Sequence, residues 1–206
     1  MKKEYIFLEE KQKCYSPKQI RNWLNDSILL EKGDIQRIFK DKQKYKSLIE
    51  CWHASLYALA IKKRLGYEFL LCPSDSPDIH FLNKNGANTD KQEGFQVEVR
   101  ELFKKDNFDD NYEKLVEEIW KSKGNKRYGK CHLLLALRLT IKNFKLKKFV
   151  ELINDKKYCW SFERIILSIF TEKEKEWTFF EVFPSLYFPK VGKMSFSLRN
   201  DNQYWY

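Results

Sequence analysis

The sequence predicts a mixed α/β layer fold, and three observations carry the prediction. Apolar residues recur at three- and four-residue spacing through positions 34–65. Short alternating stretches separated by turn residues occupy 67–100, and an unbroken apolar run fills most of 132–138. Helix, hairpin, helix, strand, helix and strand in succession suit layers packed on one core. At 206 residues the chain is long enough for one substantial core and short for two, so a single compact unit is expected, with 1–40 as an N-terminal helical extension and 41–206 as the main domain.

Ser16-Pro17 reads as an N-cap followed by proline in the first helical turn, and Gly33 interrupts the helix that follows. From Asp34 to Leu65 the chain reads helical, with Leu48, Ile49, Trp52, Leu56, Leu59 and Ala60 as its core stripe. Positions 51–61 carry no formal charge, which predicts cover on more than one side. Glu50 opens that stretch on a face shared with Ala54, Tyr57 and Ile61, an acid without an obvious local partner.

Gly66 ends the helix, and 67–72 reads as a strand leading into a Pro73 to Pro77 turn. Two further strands, one after Pro77-Asp78 and one through Phe95 to Arg100, flank a polar turn segment at 83–90 and predict a hairpin. A helix is expected over 111–121, with Asp109-Asp110 as its caps, then a basic loop over 121–130. The run at 132–138 reads as a central strand covered on both faces. A helix over 144–154 and strands over 162–170 and 177–184 complete the reading.

The balance of 39 Lys+Arg against 29 Asp+Glu gives a net charge of +10, a field that favours a polyanion such as nucleic acid. Lys123, Lys126, Arg127 and Lys130 in the basic loop are the candidate phosphate contacts. A Lys-rich solvated surface would show the same charge. Five scattered cysteines without a Cys-x-x-Cys pair suggest reduced thiols rather than disulfides or zinc. No long apolar run and no signal-peptide pattern appear, so a cytoplasmic protein without a membrane partner is expected.

Alternation along Phe95 to Arg100 sends Gln96, Glu98 and Arg100 to one face and Phe95, Val97 and Val99 to the other, predicting one buried and one reactive face. Asp78 and Glu98 on neighbouring strands are the oxygen ligands that Mg²⁺ or Mn²⁺ takes, with water and phosphate oxygens filling the remaining positions. Singly, each acid has a plain structural reading: Asp78 caps a turn, Glu98 pairs with a nearby cation, and Glu50 is surface charge.

Glu50 on a helix, Pro77-Asp78 at a hairpin and Glu98-Val99-Arg100 on the next strand together resemble the PD-(D/E)XK nuclease superfamily, over roughly Tyr45 to Pro184. The resemblance implies a restriction-endonuclease-like central mixed β-sheet flanked by helices. It also implies metal ligation by Asp78, Glu98 and the Val99 carbonyl, with support from Glu50. Members of the superfamily commonly cut as dimers, which makes a homodimer one assembly to test. One departure is plain: Arg100 stands where the motif has lysine, keeping the cation but changing its reach and removing proton transfer. Gln96 points the same way as Glu98 and is a further supporting residue.

The expected function is a metal-dependent nuclease, acting on DNA, with a catalytically silent nucleic-acid-binding protein on the same fold as the rival. His53, His80 and His132 show no ligand spacing and read as packing or surface residues. The aromatics Tyr187, Phe188, Tyr204, Trp205 and Tyr206 and the lysines 142–157 fit either base and phosphate contacts or ordinary packing and solvation.

Overall fold

The computed structural model describes residues 13–75, 77–84, 94–102, 111–124, 128, 131–137, 144–171, 176–184 and 192–197. The chain is mixed α/β. It divides into two compact units, one formed by 1–97 with 198–206 and one by 98–197, so that the boundary falls inside a strand, between Val97 and Glu98.

In the first unit, helix α1 (Pro17–Leu30) starts at a capping box. The Ser16 hydroxyl accepts from the Gln19 amide at 3.3 Å, and the Gln19 side chain accepts from the Ser16 amide at 2.8 Å. The expected continuous helix over 34–65 is two helices, α2 (Ile35–Lys40) and α3 (Lys42–Leu65). Asp41 causes the break, because its carboxylate accepts from the Lys44 amide at 3.1 Å and so begins a new helix. Gly66 ends α3 at φ 78, a left-handed conformation that glycine adopts without steric cost.

Eight consecutive residues of α3, from Cys51 through Ala58, are buried, as the uncharged stretch predicted. Strands β1 (Phe69–Pro73), β2 (Ile79–Asn83) and β3 (Gly94–Leu102) pair antiparallel in that order, and α3 packs against the first two. Phe81 and Phe95 stack at 4.8 Å, with Tyr57 of α3 at 5.9 Å from Phe81. This cluster fixes the hairpin register by large apolar side chains.

A disulfide joins Cys14 to Cys72, correcting the expectation of reduced thiols throughout. Its cause is register. Tyr15 and Leu71 exchange both backbone hydrogen bonds, at 2.9 and 2.8 Å, in an antiparallel bridge that places Cys14 opposite Cys72. Cys51, Cys131 and Cys159 are free, and only Cys159 is exposed. Native protein without reductant is therefore expected to titrate one thiol with a disulfide reagent, and denatured protein three.

In the second unit the strand order is β3, β4 (Cys131–Leu137), β5 (Arg164–Thr171), β6 (Glu176–Phe183) and β7 (Gly192–Ser197), the last not anticipated from sequence. Strands β4 and β5 are parallel, β5 and β6 antiparallel, and β6 and β7 antiparallel. All seven residues of β4 are buried, as its apolar run implied.

Helices α4 (Tyr112–Ile119) and α5 (Leu146–Ile153) contribute Leu115, Val116, Ile119, Phe149, Val150 and Ile153 to this core. The cap of α4 is Asn111, whose side chain accepts from the Lys114 amide at 3.1 Å. The expected caps Asp109 and Asp110 lie outside the described residues. Asn154 closes α5 and donates to the Val182 carbonyl at 2.7 Å, tying the helix end to the bulged stretch of β6.

His132 on β4 is buried opposite Arg164 on β5. Burial first, then the Arg164 charge, pushes its pKa down from 6.5 to about 4. Because the folded value lies below the unfolded one, this stability is complete above pH 6.5 and is lost as pH falls toward 4. Urea titrations should show a loss of about 2 kcal/mol between pH 7 and pH 5, which His132→Gln removes.

Candidate metal and phosphate site

Asp78 and Glu98 are the only buried acids among the described residues, exposed to 8% and 2%. A carboxylate removed from water at such cost is retained only with strong partners or a task. The two residues belong to different units.

In the first unit, Asp78 follows the turn from β1 and directly precedes β2. Its carbonyl accepts from the Ser74 amide at 2.9 Å, and the Ser74 hydroxyl donates to the Pro77 carbonyl. These two bonds, one from the Ser74 amide and one from its hydroxyl, close the turn that sets Asp78 at the start of β2. Ile79, the next residue, pairs with Val97 in the hairpin register.

Glu50 and Asp78 converge electrostatically on one thiol. Burial raises the Cys51 pKa well above its ordinary value, and the Glu50 and Asp78 charges raise it further. Cys51 is therefore a protonated, unreactive thiol beside two acids, a feature not singled out from sequence. Glu50 also has the partner it was expected to lack, since Lys46, one turn earlier, lies 3.5 Å away. Gln96 sits half-buried on β3, paired in register with His80.

Along β3, Val97 at the end of the first unit and Glu98 and Val99 at the start of the second are buried in succession, so the strand is covered on both faces at this point. This corrects the expectation of one buried and one reactive face. The cover over Glu98 is Lys123, whose ammonium donates to Glu98 Oε1. Lys123 was expected in a mobile phosphate-binding loop. It stands instead in a π-helical turn (Trp120–Gly124) that prolongs α4.

Arg100 holds that turn in place. Its Nη1 donates to the Glu118 carbonyl at 3.0 Å and to the Ser122 hydroxyl, and Ser122 in turn donates to the Ile119 carbonyl at 3.0 Å. Gly124 completes the turn by close packing, since a Cβ there would lie 2.4 Å from Trp120 Cδ1. Lys126, Arg127 and Lys130 lie outside the described residues, as do Lys142 and the aromatics at 187–188 and 204–206.

No family model, curated protein or solved structure matches the chain. The site's chemistry therefore rests on its own residues.

Among the described residues no group of three or more His, Cys, Asp or Glu gathers that could hold a metal ion. Mg²⁺ and Mn²⁺ bind through as few as one or two carboxylates and complete their shells with water and phosphate oxygens, the donor type that Asp78 and Glu98 carry. Also among the described residues, no helix is long and apolar enough to cross a membrane.

Proposed function

We propose that the chain is a metal-dependent nuclease hydrolysing phosphodiester bonds, with DNA as its substrate and Mg²⁺ or Mn²⁺ as its cofactor. The observation that carries the reading is that the two acids selected by sequence order, Asp78 and Glu98, are also the only buried acids among the described residues. In this reading their carboxylates, with the Val99 carbonyl, hold the metal. When bound, the metal supplies a more acidic water and neutralises charge at the scissile phosphate.

Glu50 and Gln96 shape the surroundings of these ligands. Lys126, Arg127 and Lys130, with the net charge of +10, attract the nucleic-acid backbone. Arg100 takes a positioning role, because its guanidinium is engaged with Glu118 and Ser122.

That engagement of Arg100 also favours a second reading, a nucleic-acid-binding protein on the same fold that does not cut. Cleavage of plasmid, linear duplex, single-stranded DNA and RNA with Mg²⁺, Mn²⁺ or EDTA separates the two. Metal-dependent cutting is expected, falling by about a hundredfold or more in Asp78→Asn and Glu98→Gln. Wild-type levels in both variants would sink the site assignment. Salt-sensitive binding without turnover would favour the second reading.

A further inference from the structure

We propose that Lys123 is a tethered cation that holds Glu98 in the absence of a divalent metal and withdraws from it when the metal binds. The inference rests on the metal-site reading above and adds how that site is loaded. Its geometry lies wholly within the second unit.

Glu98 is deeply buried and Lys123 is not fully so, its side chain being 19% exposed. The pair thus joins a buried carboxylate to a side chain that keeps part of its surface in water. A buried ion pair seldom stabilises a fold more than apolar packing of the same volume would, so its retention points to a use for the charge. Here the charge occupies Glu98 Oε1, an oxygen that a divalent ion bound at this carboxylate would draw upon.

The scaffold around Lys123 fits a side chain that moves while its backbone stays. Arg100 fastens the turn through the Glu118 carbonyl and the Ser122 hydroxyl, and Gly124 packs against the Trp120 indole. The flexible four-carbon stem of Lys123 has the freedom to swing its ammonium toward solvent, where it is strongly hydrated. A divalent cation outweighs a single positive charge at the same oxygen, so metal displaces the ammonium. The tether keeps the site charge-balanced when empty and lowers metal affinity by the strength of the pair it breaks.

Isothermal titration with Mn²⁺ tests this on wild type, Lys123→Met, Lys123→Gln and Glu98→Gln. Removing the competing ammonium is expected to tighten Mn²⁺ binding about tenfold. Glu98→Gln should abolish it. If Glu98→Gln abolishes binding while both Lys123 variants bind as wild type or more weakly, the tether is overturned and the metal site stands. If no protein binds Mn²⁺, or if Glu98→Gln leaves binding intact, the metal-site reading falls and the tether with it.

Wild-type protein provides a second measurement should the Lys123 variants not fold. Acylation of Lys123, read by mass spectrometry relative to exposed Lys46, should rise several-fold when Mn²⁺ is added. Mn²⁺ uptake with no change in Lys123 acylation would overturn the proposal.

Discussion

Lys123→Met is expected to destabilise the fold by about 3–5 kcal/mol, because it removes the ammonium that donates to the buried Glu98 carboxylate. Both side chains are largely removed from water, so solvent screening does little to soften the loss. The paired change Glu98→Gln/Lys123→Met should recover most of it, since the charge and its partner leave together. Urea unfolding of the two single variants and the double variant forms a cycle that isolates the pair. Additive losses would show that Glu98 and Lys123 do not depend on one another. Lys123→Gln, which keeps a donor without the charge, should fall between wild type and Lys123→Met.

Reduction of Cys14–Cys72 should cost about 4 kcal/mol at 25 °C, the chain-entropy value for a closure spanning 58 positions. The bond ties the segment before α1 to β1, where Tyr15 also bridges Leu71 and packs edge-on against Trp23 at 4.4 Å. Losing it frees the start of α1 from the sheet. Denaturant midpoints measured with and without reductant, beside Cys14→Ser/Cys72→Ser, check this. The double variant should match the reduced protein and respond to no reductant; a wild-type midpoint unmoved by reductant would rule out a stabilising bond.

What the sequence made legible was local or strongly periodic. The Ser16-Pro17 cap of α1, the left-handed Gly66 stop and the apolar run of β4 each follow from chemistry within a few neighbouring residues. Asp78 and Glu98 stood out by their order after a proline-led turn and along a strand, although the alternation read along that strand did not foresee that Glu98 is buried between Val97 and Val99. Other features depend on partners far along the chain. Cys14 meets Cys72 through a backbone bridge that no cysteine spacing reveals.

Lys123 reaches Glu98 across 25 positions, and only because α4 continues into a π-helical turn where glycine and lysines suggested a loop. Two other partners are local: Asp41 caps a new helix inside an apparently continuous helical pattern, and Lys46 lies one turn before Glu50, on the N-terminal side of the uncharged stretch.

The Cys14–Cys72 bond also changes how the molecule would yield to mechanical tension. Traction applied at the chain ends passes through the sulfur bridge and bypasses everything between the two cysteines, including α1, α2 and α3. Those helices are sheltered from the load. The oxidised chain can then pay out about 200 Å less contour length than the reduced one, the reach of the 58 peptide steps that the bridge takes out of line.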